Sequence, residues 1–198
     1  MAEIKSTLEK VMEKLAQIDA GSGDEYDSEE KIKDGMRLGA RFFRGEIASL
    51  HQALTECTDA DKPFVQSGVI KTMLRNILLP RDADQQKDSE RAMQGLIEMS
   101  QGSTQIIDLC TDMKHVLDRY LAHKDQYRTQ LESAFRTQMG QLEESITEQT
   151  GMSMKLDPSQ HPKFLEEWNK IVSELDEQYG NALQQLKDQV DKACSIET

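Results

Sequence analysis

The sequence predicts an all-α protein, an elongated helical bundle or coiled-coil-like hairpin of about five helices. Three observations carry that reading. Apolar residues recur at alternating spacings of three and four along most of the chain, the period of one helix face. The apolar residues are mostly Leu, Ile, Met and Ala, with only 5% aromatics and four prolines, a composition that suits helices better than strands. No stretch shows the alternation of apolar and polar residues that a half-buried strand requires. With 37% apolar residues and a mean hydropathy of −0.67, the core is expected to be thin.

Ile4, Leu8, Val11, Leu15 and Ile18 form a heptad seam on an N-terminal amphipathic helix, residues 1–19, whose other faces carry Glu and Lys. That seam needs a partner to bury it. Residues 20–28 are small and acidic and read as a flexible linker, after which residues 29–198 form the helical bundle domain. Ser28 stands as the N-cap of a second helix bearing Met36, Ala40, Phe43, Ile47, Leu50, Leu54 and Cys57. Gly35, Gly39 and Gly45 each cost about 1 kcal/mol relative to Ala inside a helix. They imply either close packing on a neighbour or a break near Gly45, and packing is the preferred reading.

Asp59 to Pro63 is a turn, and a short helix follows that ends before Pro80. Its apolar arc is the widest in the chain, so Val65, Val69, Ile70, Met73, Leu74 and Ile77 are expected to be mostly buried. A long helical region runs from about Asp82 to Thr150. Leu96, Met99, Ser103, Ile106, Cys110, Met113, Leu117, Tyr120, Lys124, Tyr127, Leu131 and Ala134 hold one register in it. The register crosses Gly102-Ser103 without a skip, so the helix is expected to continue there. Asp157-Pro158-Ser159-Gln160 has the form of an N-cap, a first-turn Pro and a Gln at the third position. The last helix then carries Leu165, Trp168, Val172, Leu175, Tyr179, Ala182, Leu186, Gln189 and Ala193 on its seam.

A formal charge of −12, from 36 acidic and 24 basic side chains, argues against nucleic acid as a partner. Cys57, Cys110 and Cys194 are odd in number and widely spaced, so neither a disulfide framework nor a zinc site is legible, and a cytoplasmic setting fits best. All three sit at seam spacing, where a buried apolar role is expected. The start of the chain lacks the basic, apolar and small-residue segments of an export signal. No window approaches the ~20 apolar residues needed to cross a bilayer.

Chemistry-bearing motifs are sparse. A di-iron bundle would need two Glu-x-x-His pairs, and the nearest approach is Asp112-Met113-Lys114-His115. His51, His115, His123 and His161 do not pair at one helical turn, so no metal and no cofactor are expected. Asp19 to Glu30 has the length of a calcium loop, but Gly21 and Gly23 offer no side-chain oxygen and Asp24 stands where the turn needs Gly. Phosphate loops, dinucleotide fingerprints and nucleophile elbows are absent. Two basic islands remain, Arg37, Arg41 and Arg44 on one flank and residues 62–81 with four cations and no acid.

Ala2 to Glu9, and Glu166-Glu167-Trp168 through Leu175-Asp176-Glu177-Gln178-Tyr179-Gly180, resemble an uncharacterised family of small bacterial all-helical proteins. The resemblance implies a bacterial cytoplasmic setting and transfers no activity and no site residue. The sequence therefore points to a non-enzymatic helical protein that oligomerises, as a homo-oligomer and most simply a dimer, and binds another protein as adaptor, scaffold or chaperone. The candidate contacts are Ile4, Leu8, Val11, Leu15, Ile18, Trp168, Leu175 and Tyr179. One alternative is a bundle that holds a metal or small ligand between helices. Another is peripheral membrane binding through residues 62–81.

Overall fold

The structure is a computed structural model and describes residues 27–150 and 157–196. It is all-α: 84% of the described residues are helical, in six α-helices, with no strand among them. Helix α1 spans residues 27–43, α2 Leu50–Thr55, α3 Lys62–Asn76, α4 Ala83–Met99, α5 Thr104–Thr150 and α6 Pro162–Ile196, the last preceded by a 3-10 turn at Pro158–Gln160. The N-terminal seam residues Ile4, Leu8, Val11, Leu15 and Ile18 lie outside the described residues, as does most of the acidic stretch 20–28. Residues 27 and 28 are already helical, so Ser28 is inside α1 and does not open it. Among the described residues, no helix is long and apolar enough to cross a membrane.

The described chain forms two compact units, one from residues 27–77, 88–106 and 191–196, the other from residues 78–87 and 107–190. In the first, α1 and α3 meet backbone to backbone. A Cβ added to Gly35 would strike the Val65 carbonyl, and one added to Gly68 would strike the Ile32 carbonyl. Gly39 likewise sits against Thr72, where an added Cβ would come within 2.9 Å of its Cβ. This is why the buried face of α1 is Gly35, Gly39 and Phe42, one residue before the apolar line through Met36, Ala40 and Phe43, which is only half-buried. Glycine brings the neighbour close without supplying an apolar side chain, so apolar spacing points to the wrong stripe.

The second predicted helix, expected to reach Cys57, is broken. Gly45 has φ 76°, and the Gly45 N–H bonds Phe42 O at 3.0 Å while the Glu46 N–H bonds Arg41 O at 3.0 Å. That pair of bonds is the Schellman ending of a helix, with glycine at its left-handed position. Arg91 reinforces the end, donating from Nη2 to Phe42 O at 2.8 Å with its guanidinium 5.4 Å over the Phe42 ring. A fresh helix starts at Leu50, where Ser49 Oγ accepts from Gln52 N at 3.2 Å. Glu98 of α4 holds this start, accepting from the Ser49 hydroxyl and, at 3.2 Å, from His51 N.

The core of this unit is the arc expected of α3. Val65, Val69, Ile70, Met73 and Ile77 are all buried, joined by Leu50, Leu54, Ala92, Met93, Leu96, Met99 and Ile106. Leu74 alone among the six positions is half-buried. Gly95 completes the fit, since a Cβ there would lie 2.9 Å from Met73 Sδ and 3.2 Å from Phe42 and Leu50.

The long region 82–150 is also broken, between Met99 and Thr104. Gln101, with φ 52°, takes the left-handed position of a second Schellman ending: its N–H bonds Glu98 O at 3.3 Å, and the Gly102 N–H bonds Ile97 O at 3.3 Å. The register persisted because Leu96, Met99 and Ile106 on both sides of the break are all buried in one unit. The cap at 157 is corrected too. Asp157 Oδ1 accepts from Ser159 N at 2.9 Å and so closes the 3-10 turn, while His161 Nδ1 accepts from Lys163 N at 3.2 Å at the start of α6.

Candidate interaction surface on the α5–α6 hairpin

In the second unit α5 and α6 run antiparallel. The direction follows from three contacts: Tyr120 meets Tyr179 at 5.7 Å between ring centres, Arg128 lies 6.0 Å over the Trp168 ring, and Phe135 meets Phe164 at 5.5 Å. Positions rising along α5 pair with positions falling along α6. The seam between them has two parts. From Leu109 to Tyr120 it is apolar and closed, with Leu109, Cys110, Met113, Leu117 and Tyr120 buried on α5 and Leu175, Leu183 and Val190 on α6. From Leu121 to Gly140, α5 has no buried residue at all.

A polar and aromatic cluster sits where the two parts meet. The Tyr120 hydroxyl donates to Asp176 Oδ1 at 2.7 Å and lies 3.3 Å from Lys124 Nζ, which donates to it. The Tyr179 hydroxyl and His123 Nδ1 are 2.6 Å apart, and both rings pack edge to face at 5.8 Å. Burial first, then the adjacent Asp176 carboxylate, holds the Tyr120 hydroxyl protonated well above the ordinary phenol range. These pairs form only when α5 and α6 stand in one register, so the cluster fixes the hairpin's alignment.

Of the sequence-predicted contacts, Trp168, Leu175 and Tyr179 all fall on this hairpin and face α5. Leu175 is buried, and Trp168 and Tyr179 are half-buried. Sequence reasoning missed His123 beside Tyr179, Arg128 over Trp168 and Asp176 on the Tyr120 hydroxyl. The available signal was the change from apolar to polar at Lys124 within the α5 register. Beyond it, Tyr127 is 43% exposed, and Leu165, expected on the α6 seam, is 47% exposed because Phe164 takes the buried place. Further along, α6 buries Leu183 and Val190 in place of Ala182 and Gln189. An α-helix turns once in about 3.6 residues, so a strict heptad line walks off the buried face.

The other unit carries an open cleft of about 490 Å³, with His51, Asp59, Lys62 and Gln101 around a floor of Leu54, Pro63 and Met99. Of the three cysteines, Cys110 is buried and Cys57 and Cys194 are half-buried. Among the described residues, no group of His, Cys, Asp and Glu comes together in a form that could hold a metal ion.

Residues 51–192 match the profile of a family of unknown function, DUF6657. The chain belongs to this family. The DUF6657 match takes in α3 and α4 and the hairpin with its Tyr120 cluster, and leaves out the opening octapeptide and α1. Comparison with curated proteins and with solved structures gives no match.

Proposed function

We propose that the protein is a non-enzymatic helical protein that oligomerises and binds another protein, as an adaptor, scaffold or chaperone, in a reducing cytoplasm. The observation that supports this most is the stretch of α5 from Leu121 to Gly140 without a buried residue. Two antiparallel helices enclose only the strip between them, so Tyr127, Leu131, Phe135, Met139 and Leu165 keep apolar surface that a further helix would remove from water. The hairpin's polar groups are engaged with one another, Tyr120 with Asp176 and Tyr179 with His123, which favours structural roles for them. Multi-angle light scattering of the full chain over a range of concentrations tests the reading. A dimer or larger species is expected, and a mass of 22.5 kDa at every concentration contradicts oligomerisation.

A second reading, a bundle that holds a small ligand, rests on the cleft beside His51 and Lys62. Thermal-shift measurements against a panel of small anions test it, with no shift for any member counting against it. Membrane binding through residues 62–81 has less support. The apolar arc is taken up by the core, leaving Phe64, Lys71 and Arg75 on the exposed face. Failure to sediment with anionic vesicles counts against it.

A further inference from the structure

The hairpin also carries a groove of about 460 Å³ between α5 and α6. Asp112, His115, Val116 and Arg119 line it from α5, at the i, i+3, i+4, i+7 spacing of one helix face. Ala182, Gln185, Leu186 and Gln189 line it from α6 at the same spacing. Val116, Ala182 and Leu186 are half-buried, and the other lining residues are exposed.

Two features of the groove identify what fits it. Ala182, Leu186 and Gln189 belong to the heptad line of α6, but the buried residues of that stretch are Leu183 and Val190. Among the described residues, the heptad line is thus left partly uncovered. The rim, in turn, is self-complementary. Asp112 and Arg119 stand two turns apart with opposite charge, and neither side chain has a hydrogen-bond or ion-pair partner among the described residues. Each set of four is symmetric about its midpoint, between His115 and Val116 on α5 and between Gln185 and Leu186 on α6.

We propose that this groove is the contact between two copies of the chain, related by a two-fold axis across both midpoints. This rests on the reading that the protein self-associates, and it names a surface separate from the Leu121–Gly140 stretch. α5 then packs antiparallel on the α5 of the second copy and α6 on its α6, closing a four-helix bundle. Asp112 faces Arg119 of the partner subunit, and the symmetry repeats that pair. His115 packs on Val116 of the partner subunit, and Leu186 on Gln185 of the partner subunit. The other two-fold arrangement, with α5 over the second copy's α6, sets Asp112 and Arg119 opposite uncharged side chains, and the charge pattern selects against it. One acid and one base line the groove, so the lining itself adds no net charge to a contact between two chains that each carry −12.

Sedimentation equilibrium of the full chain decides the matter, with wild type, Asp112→Arg, Arg119→Asp and the double variant compared. The wild type is expected to fit a dimer of twice 22.5 kDa. Each single substitution turns two attractive pairs into two repulsive ones and is expected to weaken the dimer at least ~10-fold, while the double variant returns to within ~3-fold of wild type. Both residues are exposed, so circular dichroism should show unchanged helix content in all four proteins. A dimer insensitive to the single substitutions, or a double variant no tighter than the singles, overturns the groove and leaves self-association standing. A wild type that stays monomeric overturns both the groove contact and self-association itself.

Discussion

α1 and α3 meet through glycine, whereas α5 and α6, beyond Tyr120, meet through long aromatic and polar side chains. At the first contact Gly35 and Gly68 let two backbones touch, and the surrounding core is dry, with Leu50, Val69, Met73 and Ile77 at 0% exposure. At the second, beyond Tyr120, the helices are held by Arg128 on Trp168 and Phe135 on Phe164, and no α5 residue from Leu121 to Gly140 is buried. A backbone-tight pair with a closed core leaves little apolar surface, chiefly Phe64 at 41% exposure. A hairpin held by a single strip has surface on its remaining faces, and a partner can bind there.

The sharpest way to break this comparison is to truncate one leucine in each region. Leu50→Ala removes a fully buried side chain and should cost about 2–5 kcal/mol, while Leu165→Ala, at 47% exposure, should stay within about 0.5 kcal/mol in urea denaturation. Equal losses would mean that the hairpin is as closed as the α3 core. Glycine gives the next largest contrast. Gly68→Ala should destabilise by about 1–3 kcal/mol because its Cβ meets backbone, although Ala is the better helix former. Gly140→Ala in α5 meets nothing within 4 Å and should stabilise by up to about 1 kcal/mol. Opposite signs from the same substitution are the expected result.

Tyr120→Phe tests the junction, with an expected loss of about 1 kcal/mol at neutral pH. It should also change the alkaline limb. The native hydroxyl is raised above the ordinary phenol value, so its contribution is complete below about pH 10 and is lost as pH rises through the native value. The variant should therefore show a shallower alkaline fall in stability, and an unchanged slope would place the tyrosine outside the linkage. Gln101→Gly is the smallest effect. A left-handed position suits glycine better, so the variant should gain about 0.5–1 kcal/mol, raising the urea midpoint.

How far the sequence could be read follows from what periodicity measures. It finds the arc of α3 well, because Val65, Val69, Ile70, Met73 and Ile77 are apolar side chains facing one core. It misplaces the buried stripe of α1, because Gly35 and Gly39 are buried yet carry no side chain to count. It runs through the break at Gln101, because a Schellman ending is made by backbone bonds and the apolar residues on either side share a core. On the hairpin, Trp168, Leu175 and Tyr179 were legible as seam positions. Asp176, the partner of Tyr120, and His123, the partner of Tyr179, were not, since single polar residues beside a seam look like solvated flank until the opposite helix is in place.

Hydrogen exchange of the full chain at two protein concentrations, read by mass spectrometry along the sequence, tests most directly whether the hairpin is where the chain meets its partner. The account predicts that amides of α5 and α6 between residues 107 and 190 exchange more slowly at the higher concentration, while those of α3, in the closed core, stay the same. Exchange in the hairpin that is independent of concentration, or slowing confined to α3, would contradict it.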